Sequence, residues 1–433
     1  MRTNRTINVE FIDDFKDRLL SWAQQFEEVV WLDSNSGSED FNQNYNEFDA
    51  VLALGAEKRI VRKAKNAFED LKTFRSNVKD YVFGYLSYDL KNEIENLRSE
   101  NIDHLGFSDL YFFQAKKIFF LKDHTLTISY IDTCIDELEN DLKDIQSVKN
   151  FQNANPHHIK IKSRISKRSY HQKIENILDH IHRGDIYEVN FCQEFYAENS
   201  KIDPLTVYQK LNTISTPPFA SFVKIQDQYL LSASPERFVK KKGDTVISQP
   251  IKGTARRSDD PTEDLKIATL LAKDPKEIAE NIMIVDLVRN DLSKTAISGS
   301  VQVEELCKVY SFKQVHQLIS TVVSKVDGKT DPVDIIKSLF PMGSMTGAPK
   351  ISAMEIIEEQ EETKRGLYSG AVGYIGPDDN FDFNVVIRSI LYNQSERYIS
   401  FTVGGAITSK SNIENEYKEC LLKAEAMKRA LKE

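Results

Sequence analysis

The sequence predicts an α+β protein whose sheets are mainly antiparallel and flanked by helices. Three observations carry that reading. Strand signals and helical patterns interleave along all 433 residues. Several neighbouring strand signals are joined by tight turns, which the long crossovers of parallel pairs would forbid. A hydrophobic content of 40% is ample for a large core, and the length amounts to two or three domains' worth of material.

Helical periodicity over 13–28 and 57–75 alternates with aromatic or β-branched runs that read as strands: Val29-Val30-Trp31-Leu32, Tyr81-Val82-Phe83-Gly84-Tyr85 and Ile118-Phe119-Phe120-Leu121. From Ser147 to Ser169 the character changes, with Pro156, His157 and His158 ahead of a basic stretch ending Lys167-Arg168. This marks a crossing between two regions, 1–150 and 160–433. Residues 229–241 and 245–252 read as strands folded about Lys242-Gly243-Asp244, which brings Glu236 level with Lys252 to within a residue or two. Asp274-Pro275-Lys276-Glu277 starts a helix with an Asp cap, Pro at the first position and Glu at the third. The helix runs on through Leu287 in almost wholly apolar turns that are expected to be buried. A last helix opens with the capping box Ser411-Asn412-Ile413-Glu414.

A net charge of −9, with basic residues spread among acids, leaves no electrostatic footprint for nucleic acid or an anionic membrane. The N-terminus lacks the apolar run of a signal peptide, and no stretch reaches the roughly 18 apolar residues of a membrane span, so a cytoplasmic protein is expected. Cys134, Cys192, Cys307 and Cys420 are far apart and form no Cys-x-x-Cys pair, which points to buried free thiols rather than a zinc site or a disulfide framework.

Lys252 is the most informative residue. It sits between Ile251 and Gly253 at the end of an apolar strand, where burial and a nearby cation would push an amine toward its neutral, nucleophilic form. Opposite Glu236 it is either one half of an ordinary cross-strand ion pair or a nucleophile beside a general acid. Pro250 and Gly253 are poor strand residues that mark a bend or a close approach to a ligand. Gly253-Thr254 offers a backbone N–H and a hydroxyl to an anion. Glu277 and Glu280 share one helix face, as do Glu416 and Glu419. Four carboxylates on two helices suit a hard ion such as Mg²⁺, although acidic faces are also simply solvated and Glu277 also serves as a capping acid. Three glycine-punctuated segments, 340–350, 370–376 and 403–406, match neither a P-loop nor a dinucleotide fingerprint, and can present backbone N–H groups to a carboxylate. Arg388, alone in an apolar run, needs an anion, either an internal partner or a ligand.

Taken together, Ser234-Pro235-Glu236-Arg237-Phe238, Pro250-Ile251-Lys252-Gly253-Thr254, the run from Ala279 to Leu292, Gly347-Ala348-Pro349-Lys350 and Glu416-Tyr417-Lys418-Glu419 closely resemble the chorismate-utilising enzymes. That family includes the large subunits of anthranilate synthase and aminodeoxychorismate synthase and the isochorismate and salicylate synthases. The resemblance covers roughly 165–430 and extends more loosely to Trp31-Leu32-Asp33-Ser34, where some relatives bind tryptophan, and to Gly84-Tyr85-Leu86-Ser87-Tyr88-Asp89. It implies large antiparallel sheets packed as a sandwich. It implies that Glu280 and Glu419 hold Mg²⁺ with Glu277 and Glu416 close by. Tyr374, Arg388, Lys423 and the backbone at Gly404 and Gly405 would bind substrate carboxylates, with Thr254 alongside. His316 and the loop of Ser344, Thr346 and Gly347 would line the ring pocket, and Glu236 would help the C4 hydroxyl leave.

Position 252 separates the members of the family. The anthranilate synthases have alanine there, whereas the aminodeoxychorismate synthases have the lysine found here, thought to add at C2 and direct ammonia to C4. The isochorismate and salicylate enzymes place a lysine base where this chain has Glu188, and glutamate there argues against activating water. Ammonia-using relatives often have glutamine at that position, so Glu188 is a departure. The resemblance therefore implies chorismate and ammonia as substrates and 4-amino-4-deoxychorismate as product, with anthranilate synthase or an isochorismate-synthase-like enzyme as the alternatives. No Gly-x-Cys-x-Gly elbow is present, so a separate glutamine amidotransferase subunit is the expected source of ammonia.

Overall fold

The structure is a computed structural model that describes residues 1–35, 45–148 and 159–432. The boundary expected between 150 and 160 lies outside the described residues.

Alternation along the strands decides the architecture. In the strand Glu28–Asp33, Val29 and Trp31 enter one hydrophobic core while Val30 enters another. Strand Gln228–Ser234 does the same, with Leu231 and Ala233 against Leu230, and so does Ser389–Asn393, with Ile390 and Tyr392 against Leu391. These strands belong to a first sheet, in the order Arg2–Asn8, Thr125–Ile131, Leu110–Lys122, Ala50–Arg62, Glu28–Asp33, Phe219–Ile225, Gln228–Ser234, Ser389–Asn393, Tyr398–Thr408 and Glu188–Ala197. One face packs on helices that include Ile12–Trp22, Lys167–Arg183 and Pro204–Ser215. The other packs on a second sheet, running from Leu110–Lys122 through Val82–Leu86, Ala371–Ile375, Phe381–Val385, Arg237–Lys242 and Thr245–Gln249 to Val315–Lys325. The long strands Ala50–Arg62 and Leu110–Lys122 belong to both sheets and join them. Every ladder among the described residues is antiparallel, apart from the isolated bridge between Ile102 and Thr363. The expected sandwich is therefore present.

Local expectations fared less evenly. The helical pattern over 57–75 does not form one helix: residues up to Arg62 are strand, and the helix is Ala67–Val78. Glu57, Lys58 and Arg59 are good helix formers, but the ladder to Leu110–Gln114 and a bulge at Ala56/Lys58 override that weak preference. The pattern over 13–28 ends early, because the helix stops at Trp22 and, after one tight turn, Glu28 begins a strand. The hairpin about Lys242-Gly243-Asp244 forms, with Lys242 opposite Thr245. Each arm is broken by its proline, at Pro235 and at Pro250, which lack the N–H that a ladder needs. Lys167-Arg168 is no linker but the first turn of a helix, capped by Ser166.

The helix Pro275–Ser293 starts as expected, with Asp274 accepting from the N–H groups of Lys276 and Glu277. It is not buried all round, since Ile282 is 39% exposed. One stripe packs on the second sheet and the other faces solvent. The C-terminal helix Ile413–Lys423 is capped by Asn412 rather than Ser411, whose hydroxyl instead accepts from the N–H of Thr408. Cys134, Cys192 and Cys420 are buried free thiols, whereas Cys307 is only half-buried. Among the described residues no helix is long and apolar enough to cross a membrane.

Candidate active site

Glu236 lies where the chain leaves the first sheet, after Ser234, and enters the second at Arg237. Pro235 cannot extend either ladder, so the crossover turns the carboxyl inward, where the residue is 5% exposed. Burial pushes its pKa up to about 7, against the opposing pull of the Ser344 hydroxyl, Lys252, the backbone at Ile251 and Arg388. Ser344 Oγ donates to Glu236 Oε1 over 2.6 Å.

Lys252 is aimed by a bulge. Along Ile251–Arg256, Ile251 faces Ile319 and Thr254 faces Gln317, so one residue is extra between them. Gly253 takes a φ of +94°, and a Cβ there would stand 2.9 Å from Leu318 Cδ1 and 3.3 Å from Glu277 Cβ, so glycine is required. Asn281 fixes the bulge from the neighbouring helix: its Nδ2 donates to the carbonyls of Lys252 (3.1 Å) and Leu318 (3.2 Å), and its Oδ1 accepts from Ser320 Oγ.

The lysine ammonium donates to Glu188 Oε1 at 2.8 Å. The expected pairing with Glu236 is thus replaced by one with Glu188, and Glu236 acts on Lys252 only through its field. The expected push toward the neutral amine is also reversed. Burial opposes the charge, but Glu188, then Glu280 and Glu236, outweigh it and hold the ammonium above its ordinary range.

The two acidic pairs face each other from the helices Pro275–Ser293 and Ile413–Lys423. Lys276 stands between them, with its Nζ 3.8 Å from Glu280 and 4.0 Å from Glu416. Burial raises Glu277, Glu416 and Glu280, the last to about 7. Glu419 is held below the usual range by Lys423, 2.7 Å away. Lys423 also donates to the carbonyl of Gly404 at 3.0 Å. A Cβ on Gly404 would strike Cys192 Sγ at 2.4 Å, and one on Gly405 would sit 3.5 Å from Glu416 Oε2, so this glycine pair lets the strand pass close under the carboxylates. Among the described residues no three His, Cys, Asp or Glu side chains form a ready-made metal cage. Glu280 Oε1 is nonetheless buried without a hydrogen bond.

Arg388 holds a φ of +50°, a strained value for a residue with a side chain, and has no side-chain hydrogen bond or ion pair among the described residues. Burial lowers its pKa while the field of Glu236 opposes that shift. Gly347 lies directly against the strand that carries Glu188, where a Cβ would fall 2.1 Å from the Glu188 carbonyl. The hydroxyl of Thr346 turns back into its own loop, toward the carbonyls of Gly343 and Met342.

Three expected members stand apart. Tyr374 lines a separate cavity of about 60 Å³ with Leu32, Asp33, Ser34, Phe48 and Asp382, where its ring meets Phe83, Phe48 and Tyr81. The pleat of Ala371–Ile375 points it there. Both ring nitrogens of His316 are engaged, by Asp264 at 2.9 Å and Ser311 at 2.8 Å, so neither is free for a ligand. Thr254 is exposed on the far side of the bulge. Conversely, Asn281 and Lys276 belong to the site and were not singled out. Their signals were an amide inside an apolar run and a lysine four residues before Glu280.

Comparison with known proteins identifies the family. The family described as chorismate binding enzyme matches residues 27–429. The chain is 39% identical over 257 residues to aminodeoxychorismate synthase component 1 of Escherichia coli (strain K12), a match covering 59% of this chain and 56%, little over half, of that protein. It is 33% identical over 363 residues to the protein of the same name from Bacillus subtilis (strain 168), covering 81% and 76%. It also superposes on anthranilate synthase component I from Streptococcus pneumoniae TIGR4 with a TM-score of 0.78 at 25% identity, over 87% of this chain and 91% of that one. A buried acid, a lysine on a bulge and two facing carboxylate pairs thus stand in a chain matched by the family almost from end to end, and the chain belongs to the chorismate-binding enzymes.

Proposed function

We propose that this chain is the chorismate-aminating component of an aminodeoxychorismate synthase, turning chorismate and ammonia into 4-amino-4-deoxychorismate in the cytoplasm. The observation that carries the reading is Lys252, set on its bulge against Glu188 and within the field of the buried Glu236. As the free amine, Lys252 attacks C2, both conjugated ring double bonds shift, and the C4 hydroxyl leaves as water with a proton from Glu236. Ammonia then attacks C4, both double bonds shift back, Lys252 departs from C2 as the free amine, and the new ammonium returns a proton to Glu236. With a pKa of about 7, Glu236 is poised to give and regain that proton near neutrality.

Arg388, which makes no side-chain hydrogen bond or ion pair among the described residues, and Lys423 with the backbone at Gly404 and Gly405 would take the substrate carboxylates. Glu280 and Glu419, with Glu277 and Glu416 beside them, fit Mg²⁺, which needs only one or two carboxylates plus water and substrate oxygens. Glu280 Oε1, buried with no hydrogen bond among the described residues and with Lys276 Nζ 3.8 Å away, favours that assignment. Bound there, Mg²⁺ supplies positive charge for the ring carboxylate. A separate glutamine amidotransferase subunit would provide the ammonia.

The test is to incubate the purified chain with chorismate, Mg²⁺ and ammonium and identify the product. 4-Amino-4-deoxychorismate is expected, and anthranilate as the direct product would sink the reading in favour of an anthranilate synthase. Lys252→Ala is expected to lower C4 amination by on the order of 10³-fold or more, and to release anthranilate because C2 becomes open to ammonia.

A further inference from the structure

Glu188 opens the strand Glu188–Ala197, clamped between Thr408 on one side and Ala348 on the other, and is 1% exposed. Its Oε1 receives the single side-chain hydrogen bond that Lys252 makes among the described residues, while its Oε2 is buried with no partner at all. The charged groups that act on this pair are Glu236 from the crossover between sheets, Glu277 and Glu280 from the helix Pro275–Ser293 and Glu419 from the helix Ile413–Lys423. Glu236 in turn feels Arg388, and Glu280 lies 3.8 Å from Lys276. Glu188 Oε1 is thus the one acceptor oxygen in direct contact with a Lys252 N–H among the described residues, with a second, bare oxygen beside it. Its ammonium partner cannot attack carbon while it keeps all three protons.

We propose that Glu188 is the proton acceptor that frees Lys252 for attack. The proposal rests on the amination reading above. The proton moves from Nζ to Glu188 Oε1 along the existing 2.8 Å hydrogen bond, leaving a neutral amine and a neutral acid. The Nζ lone pair then forms the bond to C2 as the C4–O bond breaks. When Lys252 leaves C2 as the free amine, Glu188 returns the proton and the ion pair re-forms. The proton never needs to reach solvent, so the wild-type rate should be nearly level with pH on the acid side of Glu236. Either half of the pair is useless alone: without Lys252 there is no nucleophile, and without Glu188 the lysine must lose its proton to water.

The experiment follows 4-amino-4-deoxychorismate formation by wild type, Glu188→Gln, Glu188→Asp, Lys252→Ala and the double variant Glu188→Gln/Lys252→Ala, from pH 6 to 9 at constant free ammonia. Glu188→Gln keeps the shape and an acceptor oxygen, and should lose about 10²-fold in kcat at pH 7, the deficit relative to wild type at the same pH shrinking roughly tenfold per pH unit as bulk water takes over. Glu188→Asp should keep the wild-type pH profile at a reduced rate. The double variant should be no slower than Lys252→Ala, because Glu188 acts only through the lysine. A Glu188→Gln profile that parallels wild type at every pH would overturn the proposal, as would a double variant slower than Lys252→Ala. Failure of the amination reading would look different, as anthranilate from wild type or undiminished C4 amination by Lys252→Ala.

Discussion

Replacing Glu236 by glutamine should make the protein more stable and less active, and the stability gain should depend on pH in a defined direction. Burial raises the folded-state pKa from 4.5 to about 7. The folded protein therefore holds that proton more tightly than the unfolded chain does, so the contribution is full below pH 4.5 and lost as pH rises through 7. The distance from 4.5 to about 7 corresponds to about 3 kcal/mol of lost stability at pH 8 and above. At 5% exposure, solvent does little to relieve it. Glutamine behaves as a permanently protonated glutamate and still accepts from Ser344, so Glu236→Gln should gain about 3 kcal/mol at pH 8.5 and under about 1 kcal/mol at pH 5. Thermal melts of the two proteins at both pH values are the assay, with a difference on the order of 5 °C expected at pH 8.5. Turnover of chorismate should fall about 10²- to 10⁴-fold at the same time. A variant that melts at or below wild type at pH 8.5, or gains as much at pH 5, would refute the burial argument.

Two further outcomes follow from the neighbouring geometry. Asn281→Ala removes the amide that ties the carbonyls of Lys252 and Leu318 together, leaving two buried acceptors unpaired. It should cost about 1–3 kcal/mol in denaturant melts and lower kcat more than it raises KM, because the lysine loses its aim rather than the substrate its binding groups. Added Mg²⁺ should raise the melting temperature of wild type but not of a Glu280→Gln/Glu419→Gln variant; an equal rise in both would place the ion elsewhere.

Much of this architecture could be read from the sequence because its signals are local. The Gly243-Asp244 turn between alternating runs announces a hairpin, and the Asp274-Pro275 start announces a helix. The glutamates three apart on each helix declare shared faces. What could not be read depends on which strand lies beside which. Glu188 reaches Lys252 only because Glu188–Ala197 borders Tyr398–Thr408 and the short strand at Gly347, a pairing with no local signature. Tyr374 was misplaced because a glycine-rich run says that backbone comes close to something without saying which way the pleat turns the next side chain. The strand at 57–62 hid behind charged residues of high helix propensity, which only a tertiary ladder overrules.

Pairings between early and late strands also dictate when this molecule can fold. Val82–Leu86 finds one of its two neighbours in Ala371–Ile375, and Glu28–Asp33 pairs with Phe219–Ile225, so early strands have incomplete edges until late segments have been synthesised. On a ribosome adding about 5–20 residues per second, the first third of the chain waits for tens of seconds with unpaired edges and exposed aromatic faces. Pairings this distant in sequence close slowly even once the partner arrives. The same long-range pairings that bring a lysine, an acid and two helices together thus leave the newborn chain's edges and apolar faces exposed until the late strands arrive.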